Sequence, residues 1–434
     1  MTNKESHIVF IGIGGIGMSA LARHFLHRAV PVFGFDRTRT PLTEALEKEG
    51  AIVCYNDDVN AYPGWSADET TVIYTPAIAA SHPWRLFFET FQPIKRAEAL
   101  GLVTKGHKTL AVAGTHGKTS TSAILTHLLT ESGLDPTAFI GGILSASSTN
   151  YRLGKSPWMI VEADEFDRSF LHLHPTAAAI TTADADHLDI YADETDLTNT
   201  FAAFIQQVDG PTFSGTELKN TVPVGAAHDT AFASNVRADQ GAYSFTLHLG
   251  ECSADTKLFM PGKHNVYNAV LAAALAQYAG ASLENIVRAL PSFAGIKRRF
   301  EYHLKETSIL IEDYAHHPTE LKALLDSVTE MYPNKKIALC FQPHLYSRTR
   351  DFFAGFVSQL KRADHCFLLP IYAAREHPID GISSDALAAK ISGATVCDAS
   401  RLAEAVFAAH CDVVLAVGAG DIGDTVPHLK AVLR

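Results

Sequence analysis

The sequence has few of the features that mark secreted, membrane-spanning or metal-stapled proteins. Six cysteines occur in 434 residues, and none forms a C-x-x-C pair, so neither a disulfide framework nor a zinc site is indicated. No apolar run reaches the roughly eighteen residues that a membrane helix needs. No charged leader with a hydrophobic segment precedes the first apolar stretch. We therefore expect a cytoplasmic protein with reduced thiols and no membrane association.

Positive charge is also scarce. The chain carries 36 basic against 47 acidic residues, a formal net charge of -11. A nucleic-acid-binding protein would show a basic footprint, and an anionic membrane surface would repel this chain. There is no internal repeat of solenoid period and no low-complexity tract. A small-molecule substrate fits this composition best, while monomer and homodimer both stay open.

What the sequence does contain is the pattern of a multidomain α/β protein. Hydrophobic residues make up 47% and charged residues 19%, which is typical of globular chains. The length suggests about three domains. Short apolar runs alternate with helical stretches, which predicts parallel sheets. We place the domains at 1–106, 107–295 and 296–434, with a linker in "LGLVTKGHK" (100–108).

The first strand-turn-helix unit contains a glycine pattern. Residues 7–25, "HIVFIGIGGIGMSALARHF", include G-x-G-x-x-G, and Asp36 follows about twenty residues later. Such a turn binds a diphosphate at a helix N-terminus, so an NAD-dependent oxidoreductase is one interpretation. The same pattern recurs in "GAGDIG" (418–423), where no acid-bearing strand can follow. We expect that second copy to be a structural turn.

A second phosphate-binding signature follows near the start of the predicted central domain. "TLAVAGTHGKTSTSAIL" (109–125) reads as a strand, a glycine turn and a helix. In such loops the backbone N–H groups cradle phosphates, the lysine neutralises β/γ charge and the next hydroxyl ligates magnesium, which gives these roles to Lys118 and Thr119. Val112 stands where the usual pattern has glycine, so an ordinary helix start is the alternative.

Acidic residues follow two predicted strands of the same domain. One strand runs into "VEADEFD" and another into "TTADADHLDIY". Acids at the carboxyl ends of neighbouring parallel strands are suited to holding a magnesium ion, whereas the simpler interpretation is a solvated acidic loop. The candidates are Glu162, Asp164, Glu165, Asp167, Asp186, His187 and Asp189.

Seven motifs in order resemble the Mur ligase family of ATP-dependent amide-bond ligases. They are "GTHGKTS", "VEADEFD", "DADHLD", "PGKHNVYNA", "GIKRRFE", "DYAHHPTE" and "FQPHLYSRTRDF", and they span nearly the whole chain. The resemblance implies three α/β domains. These are a Rossmann-like N-terminal domain for a UDP-sugar, a central P-loop ATPase-type parallel sheet domain, and a Rossmann-like C-terminal ligase domain that closes over both substrates.

The resemblance also implies a reaction. The lactyl carboxylate of UDP-N-acetylmuramate attacks the γ-phosphate of ATP, the amine of L-alanine attacks the resulting acyl phosphate, and amide, ADP and phosphate result. Within the family, the resemblance of "GIGGIGMS", "SFLHLHP" and "FQPHLYSRTRDF" implies L-alanine as the amine. A sibling activity that joins the ready-made peptide L-alanyl-D-glutamyl-diaminopimelate is the alternative. A non-catalytic sugar-nucleotide sensor is hard to reconcile with intact Lys118, Glu162 and His187.

By resemblance, two groups of residues would bind ATP and Mg²⁺. The phosphates would lie on Gly114, Thr115, His116, Gly117, Lys118, Thr119 and Ser120. The adenine and ribose would lie near His264, Asn265, Asn268 and Asp313, with His316 and His317 close by. Magnesium ligands would be Thr119, Glu162 and His187. Two simpler interpretations stay open: residues 264–268 cap a helix, and one of the paired histidines is a satisfied loop end.

The same resemblance assigns the sugar nucleotide and the reacting groups. The UDP moiety would bind to Gly12, Gly14, Gly15, Gly17 and Asp36. Either Arg298 or Arg299, with Arg299 favoured, would contact ATP phosphates, unless the pair is a solvated linker. The acyl phosphate and the alanine carboxylate would meet His344, Arg348 and Arg350, and the catalytic set would be Lys118, Glu162, His187, His344 and Arg348. Thr182 stands where many relatives have Asn, which puts a polar role there in doubt.

Overall fold

The computed structural model describes residues 7–183, 191, 193–239, 241–305, 308–374 and 376–434. The chain divides into two compact units. The first runs through residue 235 and includes 245–257 and 265–293; the second comprises 236–244, 258–264 and 294–434. No helix in the described part of the chain is long and apolar enough to cross a bilayer.

The N-terminal sheet has five parallel strands in the order β3-β2-β1-β4-β5. The strands are β1 (His7–Ile11), β2 (Val32–Phe35), β3 (Ile52–Cys54), β4 (Thr70–Tyr74) and β5 (Ile94–Lys95), and the helices are α1 (Ile16–Leu26), α2 (Pro41–Lys48), α3 (Pro83–Phe87) and α4 (Arg96–Thr104). The central strand is apolar throughout because both faces are covered: Ile8 and Phe10 pack on one side, Val9 and Ile11 on the other.

The central sheet has ten strands in the order β15-β14-β13-β12-β11-β10-β6-β9-β7-β8. The strands are β6 (Lys108–Ala113), β7 (Thr137–Phe139), β8 (Tyr151–Arg152), β9 (Trp158–Glu162), β10 (Ala177–Ile180), β11 (Thr212–Ser214), β12 (Val222–Gly225), β13 (Ala231–Asp239), β14 (Ala242–Leu249) and β15 (Cys252–Leu258). The helices are α5 (Lys118–Glu131), α6 (Glu194–Gln206), α7 (Lys263–Tyr278) and α8 (Leu283–Ala289). Strand β6 lies between β9 and β10, parallel to both, so the carboxyl ends of all three strands share one edge.

The C-terminal sheet has six strands in the order β16-β17-β21-β18-β19-β20, and β16 is antiparallel to its neighbour. The strands are β16 (Glu301–Lys305), β17 (Ile309–Asp313), β18 (Ile337–Phe341), β19 (His365–Leu368), β20 (Thr395–Val396) and β21 (Val413–Val417). The helices are α9 (Pro318–Met331), α10 (Tyr346–Asp351), α11 (Phe353–Leu360), α12 (Ser384–Ala388), α13 (Ala399–Ala408) and α14 (Val426–Leu433). Two buried clusters cover its two faces.

The predicted three-domain α/β fold class is confirmed, and one local prediction is wrong. The expected linker at 100–108 is mostly helix, since α4 continues to Thr104 and its residues Ala99, Leu100 and Val103 are buried in the core. The glycine and lysine content of that stretch suggested a flexible segment, but the buried helix face outweighs it. The predicted domain boundaries themselves stay predictions.

Candidate active site

The first glycine turn lies at the carboxyl end of β1. Gly12 has φ +93°, and a Cβ there would lie 2.5 Å from the Thr75 side chain. The N–H of Gly14 donates to Asp36 Oδ2 at 2.8 Å, so the acid after β2 is held against the turn. Helix α1 begins with Gly15 as its N-cap, without a side-chain cap or an acid in its first turn. Its first N–H groups therefore have no side-chain cap, which suits the predicted role of this turn as an anion site.

The second glycine turn joins β6 to α5 and is held by close contacts. Gly114 has φ +124°, and a Cβ would lie 2.2 Å from Thr181 Oγ1. Gly117 has φ +88°, and a Cβ would lie 2.6 Å from Asn268 Oδ1. Neither position tolerates a side chain without moving a neighbour, so the loop takes one compact shape. This chain has Val112 where the generic phosphate-loop pattern has a glycine, and Gly114, with its positive φ, opens this loop instead.

Thr182, at the end of the next strand, braces the same loop. Its carbonyl accepts from the N–H of Thr115 at 3.0 Å, and its hydroxyl lies 2.7 Å from the Thr115 hydroxyl. The N–H of His116 donates to the same Thr182 hydroxyl at 3.0 Å. The polar role that the sequence left in doubt is therefore present: Thr182 shapes the phosphate loop.

Lys118 lies inside the loop and faces a buried acid. Its Nζ donates to both carboxylate oxygens of Glu165, at 3.0 and 2.8 Å, and to the carbonyl of Gly114 at 2.6 Å. Burial opposes the ammonium charge, but Glu165, Asp164 and Glu162 outweigh it and raise the pKa of Lys118. Glu165 is fully buried, so the interpretation of "VEADEFD" as a solvated acidic loop is wrong for this residue.

Glu162 ends β9 directly beside the start of α5. The hydroxyl of Thr119 donates to its Oε1 at 3.0 Å, and the N–H of Gly141 donates to its Oε2 at 2.9 Å. Burial raises the pKa of Glu162 and the Lys118 charge opposes that rise. A hydroxyl and a carboxylate in contact are hard oxygen donors of the kind Mg²⁺ takes. Asp186, His187 and Asp189 lie outside the described residues, so their predicted roles stay predictions.

The start of α7 adds two amide side chains on the other side of the loop. Asn268 donates to Asn265 Oδ1 at 3.1 Å, and both residues are buried. The Gly117 contact already described brings the Asn268 amide against the phosphate loop. Because α7 begins at Lys263, these residues lie in its first turns rather than capping it. Ser120, in the first turn of α5, is buried too.

In the C-terminal unit the two neighbouring arginines differ in role. Arg298 donates to the carbonyls of Gly418 and Gly420, at 2.7 and 2.9 Å, and its Nε lies 3.0 Å from the Glu312 carboxylate. The turn "GAGDIG" is thus a structural turn, as expected. The guanidinium of Arg299 lies over the Tyr314 ring at 5.3 Å and 3.9 Å from Glu320. Both arginines are half-buried, so the solvated-linker interpretation is wrong.

Asp313 ends β17, and both of its carboxylate oxygens accept backbone N–H groups. The donors are Phe300 and Ala315, each at 2.8 Å. Burial raises the pKa of Asp313 to about 6, and the Arg299 charge opposes the rise. His264 has its pKa lowered to about 4, first by burial and then by Arg299. The charge of Arg299 thus acts on two of the residues predicted near the nucleotide, His264 and Asp313.

The motif "FQPHLYSRTRDF" brings His344 and Arg348 together. The Nη1 of Arg348 lies 3.3 Å from His344 Nδ1, and the rings of His344 and His316 are 6.1 Å apart. Burial lowers the pKa of His344 to about 4, aided by His316 and Arg348. His317 caps α9, as the loop-end interpretation expects. Arg350 is exposed and pairs with Asp351, so the structure does not show it joining His344 and Arg348.

Comparison with family models identifies three consecutive matches. A model described as Mur ligase family, catalytic domain matches residues 7–108, one described as Mur ligase middle domain matches 112–276, and one described as Mur ligase, glutamate ligase domain matches 298–420. Together these matches cover most of the chain.

Individual relatives give the same result. The chain is 47% identical to the UDP-N-acetylmuramate-L-alanine ligase of Christiangramia forsetii, across 99% of this chain and 98% of that protein. It is 42% identical to the protein of that name from Parabacteroides distasonis, across 99% and 98%. The crystal structure of UDP-N-acetylmuramate-alanine ligase from Thermotoga maritima superposes with a TM-score of 0.84 at 30% identity, covering 98% of each chain.

Proposed function

The chain belongs to the Mur ligase family, and we propose that it joins L-alanine to the lactyl carboxylate of UDP-N-acetylmuramate, converting ATP to ADP and phosphate in the cytoplasm. One observation carries the proposal from the structure. Lys118, Thr119 and Glu162 meet at the carboxyl edge of the central sheet. The loop there has glycine at positions 114 and 117, where a side chain would collide with its neighbours. The relatives' shared name supports the substrates.

The phosphate loop would bind ATP through fixed positive groups. The N–H groups at the start of α5 would donate to the phosphates, and Lys118 would supply a full positive charge. In the structure the Lys118 ammonium is paired with the Glu165 carboxylate. The β/γ-phosphates would therefore share the ammonium with Glu165 or displace Glu165 from it. Asn265 and Asn268 lie beside the loop, which supports a role for their amides near the nucleotide.

The residues present fit a magnesium ion. Thr119 and Glu162 are hard oxygen donors in direct contact at the end of β9, and we propose that they hold it together with His187. When bound, the ion would neutralise charge on the transferring phosphoryl group. The ammonium group of Lys118 would neutralise part of the remaining negative charge of the phosphates, because its raised pKa keeps it protonated.

Two later steps need cations from the C-terminal unit. After the carboxylate oxygen attacks the γ-phosphorus and ADP leaves, the alanine amine attacks the acyl carbon and phosphate departs. Arg299, His344 and Arg348 are the residues that we propose for these steps. Arg298 is not, because it is already bonded to Gly418 and Gly420. A half-buried guanidinium binds carboxylate or phosphate oxygens in a forked geometry.

Two alternatives lose support. An NAD-dependent oxidoreductase would use the first glycine turn alone, and it would leave the second loop with its lysine and acids unexplained. The sibling that takes a ready-made peptide has a solved relative from Psychrobacter arcticus, described as a murein peptide ligase, at 21% identity and a TM-score of 0.73. That likeness extends to the fold alone, whereas the alanine-ligase relatives are about twice as similar.

A phosphate-release assay tests the proposal. Phosphate should appear only when ATP, Mg²⁺, UDP-N-acetylmuramate and L-alanine are all present, and omitting any one should abolish it. L-Serine, glycine and the tripeptide replace L-alanine in parallel reactions. Equal release with the tripeptide and none with L-alanine would select the sibling activity, and NAD(P)H oxidation without ATP turnover would select the oxidoreductase.

A further inference from the structure

We propose that Arg96 binds the diphosphate of the sugar nucleotide, and that Asp164 positions its guanidinium for this contact. The inference rests on the proposed function, since it concerns the UDP end of the same substrate. Arg96 is the first residue of α4, and nothing in the sequence pattern marks it as a binding residue. Three features of its surroundings point to the role.

The side chain of Arg96 packs against the first turn of α1. A Cβ built on Gly17 would lie 3.0 Å from Arg96 Nη1 and 3.4 Å from its Cζ. The third glycine of the G-x-G-x-x-G pattern therefore makes room for this guanidinium. The same turn contains the N–H groups of α1 that have no side-chain cap. A diphosphate on those groups would lie within ion-pair reach of Arg96.

On its other side Arg96 meets the acidic loop that follows β9. Its Nη2 lies 3.3 Å from Asp164 Oδ2, a single contact that uses one of its five donors. This loop also contributes Glu162 and Glu165 to the ATP site. Arg96 thus lies between the first turn of α1 and the acidic loop that follows β9. A cation placed there can bind the diphosphate while the carboxylate end of the same substrate reaches the phosphate loop.

The placement of Arg96 runs against helix electrostatics. Lys95 is the N-cap of α4 and Arg96 its first residue, although cations at a helix N-terminus are unfavourable. Lys95 is compensated by Asp167 at 2.8 Å. The longer Asp164 contact compensates Arg96 less well, and its side chain is 21% exposed. Glu98 supplies an acid in the first turn of α4, and an anionic ligand on α1 would give the Arg96 guanidinium a second negative partner beside Asp164.

The test compares Arg96→Gln with Arg96→Lys, Asp164→Asn and a control, Arg288→Gln, which removes an exposed arginine of α8. For each variant we measure KM for UDP-N-acetylmuramate and for ATP, and the dissociation constants of UDP and UMP. We expect Arg96→Gln to raise KM for the sugar nucleotide by roughly 10- to 100-fold and KM for ATP by less than about twofold. Its affinity for UDP should fall to that for UMP.

Arg96→Lys should recover part of the affinity, because a charge remains without the forked geometry. Asp164→Asn should show a smaller loss of UDP affinity than Arg96→Gln. The inference is overturned if Arg96→Gln retains wild-type affinity for UDP, or if it loses ATP and UDP binding together, which marks a purely structural residue. Failure of the wild-type enzyme to bind UDP at all would instead overturn the proposed function.

Discussion

At the scale of single residues, the proposed ATP site is organised around one buried ammonium group. The Nζ of Lys118 donates to both carboxylate oxygens of Glu165, and Asp164 and Glu162 add to the negative field. A free lysine at this depth would lose its charge, since desolvation lowers its pKa. The acids keep it charged until a phosphate arrives, which explains why an acid-rich motif lies next to a phosphate loop.

Replacing Lys118 tests this arrangement. Lys118→Ala should lower kcat by about a thousandfold or more, because no other group of the loop supplies a full positive charge to the γ-phosphate. Binding of UDP-N-acetylmuramate should change little, because the first glycine turn is untouched. Isothermal titration with the sugar nucleotide and the phosphate-release assay measure both quantities. Near-wild-type turnover would exclude the role given to Lys118.

The hydroxyl of Thr182 should matter for ATP binding. Thr182→Val removes the acceptor of the His116 N–H and the partner of the Thr115 hydroxyl, so the loop loses two hydrogen bonds. We expect KM for ATP to rise roughly tenfold, as each lost bond is worth about 1 kcal/mol. Thr182→Ser, which keeps the hydroxyl, serves as the matched control. If both variants behave like the wild type, Thr182 does not shape the site.

At the scale of elements, two adjacent residues of the segment leading into β16 differ in function. Arg298 joins this segment to the turn after β21, whereas Arg299 faces Tyr314 and Glu320. Arg298→Ala should therefore lower the free energy of unfolding by roughly 2–3 kcal/mol, since it leaves Glu312 partly unpaired. Arg299→Ala should leave stability unchanged and reduce kcat/KM. Thermal unfolding and steady-state kinetics separate the two, and an exchange of these outcomes would reverse the assignment.

Helix α1 should make the protein sensitive to acid. Burial lowers the pKa of His24 to about 3, with the charge of Arg28 adding to the effect. The unfolded chain takes up a proton near pH 6.5 while the folded chain does not, so stability falls as pH drops below 6.5. The loss between pH 7 and pH 5 is about 2 kcal/mol for this residue.

Urea unfolding at both pH values measures this loss. His24→Gln should reduce the difference between pH 7 and pH 5, whereas His428→Gln, on the exposed side of α14, should leave it unchanged. The same pH dependence in all three proteins would show that His24 is not the source.

Prediction from sequence succeeded where the chemistry is local and failed where distant segments meet. A glycine or an acid directly after a predicted strand is expected at the carboxyl edge of the sheet. Asp36 follows β2 in this way, and its carboxylate accepts the N–H of Gly14, which follows β1. The brace from Thr182 to Thr115 joins residues 67 apart, and no pattern in either segment indicates it. Arg96 escaped prediction for the same reason. The segment 100–108 was predicted as a linker because the sequence alone does not show that Leu100 and Val103 are buried in the core.

At the scale of the whole molecule, three sheets with parallel strands at their centres present glycine turns and acids at the carboxyl ends of those strands. This repetition explains why the first turn alone suggested a redox cofactor: a glycine turn before a helix suits the diphosphate of many different ligands. The second loop changes the interpretation of the first. With Lys118, Thr119 and Glu162 in one site, the first turn is better understood as the binding place of a substrate.

In the proposed reaction ATP activates the lactyl carboxylate of the sugar nucleotide, and an oxygen-isotope experiment follows the oxygens of that carboxylate into the products. UDP-N-acetylmuramate labelled with ¹⁸O in both oxygens of its lactyl carboxylate is converted with ATP, Mg²⁺ and L-alanine, and the released phosphate is analysed by mass spectrometry. We expect one ¹⁸O atom in each phosphate and one in the amide carbonyl, because the acyl–oxygen bond breaks when the amine attacks. Phosphate without ¹⁸O, at the same rate of amide formation, would rule out the acyl phosphate.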